Sequence, residues 1–183
     1  MTEAEIVNVV GGGDLEIELD LTKLSTIDSK YDIRYEPERF PGLIIKLTEP
    51  ESTCMLFSSG KYNIAGSSSI EDIEKSNENF VKLITDVLER ETSSSDGLEI
   101  RNVVLLSQLS GEIDLEQLAV ALGVDNIEYE AEQFPGLIYR KPEAEYILFI
   151  FTSGKVILTG TSELEKGRRT ITEFIKSTNS LIK

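Results

Sequence analysis

Residues 35–44 read YEPERFPGLI and residues 129–138 read YEAEQFPGLI, so one phrase occurs twice in the chain. A second phrase follows at the same distance in each copy, FSSGK at residues 57–61 and FTSGK at residues 151–155. Aligning residues 5–66 with residues 99–160 without gaps gives 26 identical positions out of 62. The chain is therefore an internal duplication. It divides into a first repeat over residues 1–92, a linker over 93–97 and a second repeat over 98–183.

The composition argues against several classes of protein. One cysteine and no histidine among 183 residues exclude an intrachain disulfide and remove the commonest general base and metal ligand. No apolar run reaches the roughly 18 residues that cross a bilayer, and residues 1–10 lack the basic start and apolar core of a secretory signal. The formal net charge of −15 argues against nucleic-acid binding on charge alone, although a local face can differ from the whole body. Without a nucleophile–base pair, a metal-ligand cluster or a phosphate loop, we expect neither enzyme activity nor a cofactor.

The hydrophobic pattern predicts the same order of elements in both repeats. The first repeat reads as a strand over 5–13, a short helix over 20–28, strands near 31–36, 42–48, 53–58 and 61–66, and a long helix over 69–91. The second repeat reads as a strand over 99–106, a short helix over 114–122, four strands within about 127–160, and a helix over 163–182. Strands joined by such short turns must pair antiparallel, because a parallel connection needs a crossover of about a dozen residues.

Three consecutive glycines, residues 11–13, interrupt the first predicted strand. They fit a β-bulge or a sharp bend better than a phosphate cradle, because no G-x-G-x-x-G or Walker pattern follows them.

Several strands of the second repeat are apolar at consecutive positions, as in ILFIF at residues 147–151. An antiparallel sheet with one face in water would instead alternate apolar and polar side chains. Both faces therefore carry apolar side chains, and one of them takes the helices. The other requires a second layer, a protein partner or an apolar ligand surface. A sheet with helices on both faces is the alternative, which one long helix per repeat makes less favourable.

Taken together, the repeated Asn-x-Val, FPGL and Phe-x-Ser-Gly-Lys phrases, each copy ending in a long helix, resemble the core domain of archaeal-type TATA-box binding proteins. The resemblance covers residues 5–182. It implies an α+β fold, a pseudo-two-fold saddle of two repeats in which a curved ten-stranded antiparallel sheet carries helices on its convex face. It also implies a non-catalytic transcription initiation factor that binds the minor groove of A/T-rich promoter DNA, bends it by phenylalanine intercalation and recruits transcription factor B.

The resemblance assigns roles to residues by matched position. Intercalation between base steps falls to Phe40, Phe57, Phe134 and Phe151. Minor-groove contacts fall to Asn8, Val10, Asn102, Val104, Ile157 and Thr159. Phosphate contacts fall to Lys46, Lys61, Arg140, Lys155, Ser59 and Ser153, and transcription factor B binding to Glu130, Glu132 and Gln133. For any one of these residues alone, core packing or a solvated surface position is the default interpretation; the duplicated spacing favours the functional one.

The implied partners are double-stranded promoter DNA, transcription factor B and, indirectly, RNA polymerase, with no membrane. The resemblance also allows a homodimer in the absence of DNA, and it places the protein in the cytoplasm at the nucleoid. The first repeat departs from the family pattern, since Asn63 and Ala65 replace an aliphatic residue and a threonine, and Gly12 empties a position on the concave face. Val7 and Arg101 replace a polar or acidic residue. These departures and the acidic charge motivate an alternative, a paralogue that acts as a protein-binding or regulatory module with weak DNA binding.

Overall fold

The computed structural model describes residues 4–27, 30–89, 97–141 and 143–181. The first repeat contains β1 (Glu5–Asp14), α1 (Leu21–Leu24), β2 (Asp32–Arg34), β3 (Leu43–Thr48), β4 (Glu51–Leu56), β5 (Lys61–Ser67) and α2 (Ile70–Leu88). The second contains β6 (Glu99–Gln108), α3 (Leu115–Leu122), β7 (Ile127–Glu128), β8 (Gly136–Tyr139), β9 (Ile147–Phe151), β10 (Lys155–Thr161) and α4 (Leu164–Leu181), with a 3-10 turn over Val124–Asn126. The strands and long helices follow one another in the predicted order. Of the predicted linker over residues 93–97, residues 93–96 lie outside the described residues.

The chain forms two compact units. One holds the described residues of Asn8–Arg101, and the other holds those of Asn102–Lys183 together with those of Met1–Val7. The strands form a ten-stranded sheet, in which the first repeat supplies the order β2-β3-β4-β5-β1 and the second the matching order β7-β8-β9-β10-β6. The registered pairs within each repeat are antiparallel, as the short turns predicted.

In the first unit, one face of the strands packs against α2. Alternate strand residues are buried, among them Leu43, Ile45, Leu56, Tyr62 and Ile64, because successive side chains of a strand point to opposite faces. The facing stripe of α2 supplies Ile73, Phe80 and Ile84, at helical spacing. The helix begins at Ser69, whose side chain accepts a hydrogen bond from the backbone N–H of Asp72 at 3.0 Å.

Two polar residues of α2, Ser76 and Asn77, are also buried, and each has a partner on the sheet. Ser52 Oγ donates to Ser76 Oγ at 2.9 Å, and Tyr62 Oη donates to Asn77 Oδ1 at 2.7 Å. The Tyr62 ring also packs on Phe80, with ring centroids 4.7 Å apart. Hydrogen bonding removes the cost of burying these polar groups between helix and sheet.

The second unit repeats this packing with different side chains. Its buried strand positions include Val103, Leu105, Leu137, Leu148, Ile150, Val156 and Leu158. They pack under the apolar stripe of α4, which carries Ile171, Phe174 and Ile175. The ring centroids of Tyr139 and Phe174 lie 5.8 Å apart.

Two elements differ from their predicted form. The helix α1 has four residues rather than nine, and the hydroxyls of Ser25 and Thr26 donate to the carbonyls of Thr22 and Lys23 at 2.8 Å. Such side-chain bonds compete with continued helix. The strand β1 runs through the three glycines to Asp14, with a register shift between Val9 and Gly11. The predicted bulge is therefore confirmed, but the glycines do not end the strand.

Candidate nucleic-acid interface

Each unit has a second sheet face on which the strand side chains are only half-buried. In the first unit this face comprises Asn8, Val10, Ile44, Thr53, Met55, Asn63 and Ala65. In the second it comprises Asn102, Val104, Leu106, Ile138, Ile147, Phe149, Ile157 and Thr159. We call these sets the open face of each unit. Helices on both sides would bury such residues completely, so the open faces exclude that interpretation for the described strands.

Hydrogen bonds to a neighbouring strand hold both predicted groove asparagines in one orientation. Asn8 Oδ1 accepts from the backbone N–H of Gly66, and Asn102 Oδ1 accepts from that of Gly160, both at 2.9 Å. Those glycines have φ of +97° and +93°, a conformation that side chains disfavour. Because a backbone N–H can bond only the carbonyl end of a carboxamide, each Asn turns its NH₂ group away from that bond.

The two asparagines differ in their second partner. Asn102 Nδ2 donates to Thr159 Oγ1 at 2.9 Å, and that hydroxyl lies 3.2 Å from Asn102 Oδ1. Ala65 occupies the matching position beside Asn8 and offers no hydroxyl. A carboxamide nitrogen has two N–H donors. Asn102 therefore keeps one donor for a ligand. Among the described residues, the nitrogen of Asn8 has no side-chain or backbone acceptor.

The four predicted wedge phenylalanines lie in two pairs, one in each unit. The ring centroids of Phe40 and Phe57 are 5.8 Å apart with an interplanar angle of 61°, and those of Phe134 and Phe151 are 5.8 Å apart at 60°. All four rings are half-buried. The structure therefore brings together residues 17 positions apart in the sequence and leaves part of each ring accessible.

The FPG turn explains how these rings are placed. In each turn the carbonyl of one glutamate accepts from two backbone N–H groups: Glu36 from Arg39 and Phe40, and Glu130 from Gln133 and Phe134, at 2.9 and 3.0 Å in both turns. A Cβ added to Gly136 would lie 2.8 Å from the ring of Phe134 and 3.0 Å from that of Phe151. The glycine thus leaves room for both rings against the strand.

A fifth phenylalanine belongs to this surface and was missed in the sequence. Phe149 lies on the open face of the second unit, and its ring centroid is 5.7 Å from that of Phe134. The signal was present, because Phe149 and Phe151 are two positions apart and share one face of β9. The first repeat has Met55 at the matching position, so the two open faces differ in aromatic content.

The predicted phosphate contacts, Lys46, Lys61, Arg140, Lys155, Ser59 and Ser153, are all exposed. Arg140 is not an isolated cation, because its Nε lies 3.3 Å from Glu128 Oε1. Lys46 is paired across the sheet with Asp32. The hydrogen bond from Arg34 lowers the pKa of that carboxyl, and the charge of Lys46 lowers it further. A phosphate would therefore meet Lys46 and Arg140 close to carboxylates, which weakens their attraction for an anion.

The predicted transcription factor B contacts lie in the second FPG turn, where Glu130, Glu132 and Gln133 are exposed. Gln133 Nε2 donates to Glu130 Oε2. In the first turn Arg39 Nη1 lies instead 3.1 Å from Glu36 Oε2. The second turn therefore presents acidic charge without the arginine that partly neutralises the first.

The structure also shows how the described residues place groups that could take part in chemistry. The part of the chain that it describes has no group of three His, Cys, Asp or Glu side chains placed to hold a metal ion. Cys54 is buried, and burial raises the pKa of its thiol to about 12, so the thiolate is scarce near neutral pH. No helix in the described ranges is long and apolar enough to cross a membrane.

Comparisons of sequence and of structure with known proteins find the same protein family. A family model described as transcription factor TFIID, or TATA-binding protein, matches residues 3–87 and again residues 97–180. TATA-box-binding protein C of Halobacterium salinarum is 35% identical over 178 residues, which are 97% of this chain and 98% of that protein. The TATA-box-binding protein of Thermoplasma acidophilum is 39% identical over 170 residues, 89% of each chain.

The solved structure of Methanococcus jannaschii TBP matches with a TM-score of 0.79 at 32% identity, over 98% of this chain and 99% of that one. This match confirms the predicted fold class. The duplicated family match also agrees with the duplication read from residues 35–44 and 129–138. The chain therefore belongs to the TATA-box-binding protein family.

Proposed function

We propose that this protein is a general transcription initiation factor that binds the minor groove of A/T-rich promoter DNA, bends it and recruits transcription factor B. The observation that carries the proposal is the open face of each unit, where apolar side chains accompany an asparagine whose NH₂ group is turned away from its bond to a glycine N–H. In this mechanism the protein positions and deforms DNA and catalyses no reaction.

The chemistry of the minor groove suits this surface. A·T and T·A pairs both present only acceptors there, adenine N3 and thymine O2, so a donor can serve either orientation. Asn8 and Asn102 would supply those donors, with Val10 and Val104 beside them. Ile157 and Thr159 would extend the contact in the second unit. A guanine amino group placed against the aliphatic side chains of Val10 and Val104 has no acceptor and is disfavoured there.

The phenylalanine pairs would act as wedges. Insertion of apolar side chains between base steps replaces base stacking with ring contacts and holds a kink open, and TATA-box-binding proteins are themselves the standard example of this effect. Phe40 with Phe57 and Phe134 with Phe151 have the half-exposed rings that this role needs. Lys61, Lys155, Ser59 and Ser153 would then contact the phosphates of the bent duplex, which positions DNA without reading sequence.

Comparative binding to A/T-rich and G/C-rich duplexes tests this proposal most directly. We expect a gel-shift complex with the A/T-rich duplex, a bend detected by energy transfer between end labels, and a slower complex when purified transcription factor B is added. In the cell, RNA polymerase would bind to the complex through transcription factor B. The protein would act in the cytoplasm, at the nucleoid. Equal, weak binding to both duplexes would overturn the proposal.

One observation favours a second candidate, a regulatory paralogue that binds proteins and holds DNA weakly. The first open face has Asn63 in place of an aliphatic residue and Ala65 in place of a threonine, and the whole chain carries a formal charge of −15. This candidate predicts no A/T preference and a stable complex with another protein in the absence of DNA. The same duplex comparison therefore separates the two candidates, and size-exclusion chromatography of the free protein shows whether it forms a homodimer.

Salt is expected to weaken DNA binding less than it does for a basic DNA-binding protein. Neutralised phosphates release counterions, which lowers log affinity with log salt by a slope of about 0.9 per phosphate. Here the acidic body repels DNA, and added salt screens that repulsion. Affinity measured by fluorescence anisotropy over a potassium chloride series should therefore fall only slightly, stay level or rise.

A matched variant controls for this explanation. Glu71, Glu74 and Glu78 are exposed on α2, and replacing them with glutamine removes repulsive charge without touching the open face. Binding by this variant should fall more steeply with salt than binding by the parent. A steep fall for the parent protein between low and moderate salt would contradict the prediction.

A further inference from the structure

A polar cluster at the open face of the first unit, which includes Asn63 of that face and two neighbouring residues, has no counterpart in the second unit. It consists of Gly12, Asn63 and Arg101, which we call the polar notch. Arg101 Nη1 donates to Asn63 Oδ1, and Gly12 lies directly opposite Asn63 in the pairing of β1 with β5. All three residues belong to the unit Asn8–Arg101, although Arg101 comes from the start of the second repeat in sequence.

Gly12 makes room for this contact. A Cβ built on Gly12 would lie 2.9 Å from Arg101 Nη1 and 2.9 Å from Asn63 Oδ1, and closer still to the carbonyl oxygen of Tyr62. Any side chain at position 12 would therefore displace the arginine, the asparagine or the strand. The Arg101 side chain remains exposed, and within the described residues no carboxylate forms an ion pair with it.

The second unit is apolar at every matching position. Leu106 corresponds to Gly12, and Ile157 corresponds to Asn63. Val7 of the first repeat corresponds to Arg101. One unit thus presents a hydrogen-bonding notch where the other presents only aliphatic side chains.

The hydrogen-bonding capacity of the notch matches a G·C pair. In the minor groove a G·C pair presents the guanine N2 amino donor together with acceptors, whereas A·T pairs present acceptors only. Asn63 Oδ1 has two lone pairs and uses one for Arg101, so the other can accept from an amino group. The guanidinium has five N–H donors, of which the contact with Asn63 uses one, and the rest can meet base acceptors.

We propose that the polar notch accepts the guanine N2 amino group, so that the half of the DNA site bound by the first unit tolerates a G·C pair at one position. The second unit rejects that pair, because Leu106 and Ile157 leave the amino group without an acceptor. This inference rests on the proposed function, since it assigns a base preference to the same DNA-binding surface. It makes the site asymmetric and gives the protein a preferred orientation on it.

A substitution scan tests the proposal. Each A·T pair of a bound A/T-rich duplex is replaced in turn by G·C, and affinity is measured by competition. A mismatched base pair typically lowers affinity by roughly fivefold or more, and we expect such losses at most positions. At one position in one half of the site the loss should be less than about twofold, well below that typical range, while its symmetry-related position shows the full loss.

Modified bases identify the group that is read. Inosine lacks the N2 amino group and makes an I·C pair resemble A·T in the minor groove, whereas 2,6-diaminopurine adds that group to an A·T-like pair. Diaminopurine should therefore be tolerated at the one permissive position and penalised at its symmetry-related position. Inosine should be tolerated at both. If diaminopurine is penalised equally at both positions, the notch does not accept an amino group and the proposal is wrong.

Variants connect that position to the notch. Asn63→Ile and Arg101→Val install the residues of the other repeat. Asn63→Ile removes the acceptor and should restore the full G·C penalty at the permissive position. Arg101→Val removes the guanidinium that holds Asn63 Oδ1 in place and should restore part of that penalty. Arg34→Val removes the same charge from an exposed arginine already bound to Asp32, so it should shift affinity at all positions alike. If Asn63→Ile fails to fold, judged by its melting curve, Arg101→Val and the modified bases still decide the question.

The outcomes separate this inference from the proposed function. Binding to A/T-rich DNA with equal G·C penalties in both halves, or with a permissive position that survives Asn63→Ile and Arg101→Val, overturns the notch assignment alone. Failure to bind any A/T-rich duplex in preference to a G/C-rich one overturns the proposed function.

Discussion

Replacing Phe134 and Phe151 by alanine is expected to abolish DNA bending and most of the DNA affinity while leaving the protein folded. If these rings are wedges, they offset the unstacking of a base step, which costs a few kcal/mol. Without them the kink that brings the groove onto the open face becomes unfavourable. Energy transfer between labels on the duplex ends, measured beside the melting curve of each variant, separates bending from stability.

The ring contacts indicate how much Phe134→Ala and Phe151→Ala should each lower the free energy of unfolding. Phe134 contacts both Phe149 and Phe151, and aromatic pairs contribute about 0.5–1.5 kcal/mol each beyond area burial. In the described ring contacts Phe151 has one aromatic partner, so Phe151→Ala should perturb folding less. It is therefore the cleaner test of the wedge role.

Phe174 of α4 provides the matched core control. It is 8% exposed and packs against the ring of Tyr139 at an interplanar angle of 34°, so Phe174→Ala should lower the free energy of unfolding by about 3–5 kcal/mol. Any DNA bending by the folded fraction of that variant should be normal. If Phe134→Ala or Phe151→Ala shows the Phe174 pattern, with large destabilisation and unchanged bending, that residue is core and the wedge assignment is wrong.

Reversing charge in the second FPG turn, by Glu130→Arg with Glu132→Arg, is expected to eliminate recruitment of transcription factor B. Both side chains are exposed, and this turn has Gln133 where the first has Arg39. A basic partner would therefore find stronger acidic charge here, and two arginines would replace that attraction with repulsion. Binary DNA binding and bending should persist, because neither residue lies on an open face.

The first FPG turn supplies the control for this experiment. Glu36→Arg with Glu38→Arg makes the same change in charge at matching positions of the other repeat. Gel shifts with increasing transcription factor B should show a ternary complex for the parent and for this control, but not for the Glu130 and Glu132 variant. If the Glu130 and Glu132 variant forms the ternary complex as well as the parent does, the second FPG turn does not bind transcription factor B.

Much of the fold could be predicted because the sequence pattern of one repeat occurs a second time in the chain. The repeated phrases at residues 35–44 and 129–138 predicted the duplicated order of strands and long helices. The consecutive apolar residues of 147–151 predicted a sheet with two apolar faces. Local patterning determines such features, since a strand alternates its side chains and a helix repeats every 3.6 residues. The role shared by Phe40, Phe57, Phe134 and Phe151 was implied by the family resemblance rather than by local pattern.

Local pattern was least reliable where side chains compete with the backbone. The predicted nine-residue helix near Asp20 has four residues, and β1 continues through glycines that were expected to interrupt it. The helical spacing of apolar residues did not predict that the hydroxyls of Ser25 and Thr26 would donate to backbone carbonyls where the helix ends. Glycine also permits the bulge in β1 without ending the pairing with β5.

The sequence by itself determined the duplication, the order of elements and the positions of the paired phenylalanines. Tertiary structure alone decided that Gly66 and Gly160 orient the two asparagines, that Glu128 accompanies Arg140, and that Arg101 meets Asn63 beside Gly12. The physical reason is that these contacts join residues on different strands or, for Arg140, directly after one. A shift of one residue in strand register moves every side chain to the opposite face, so only the assembled sheet specifies which groups meet.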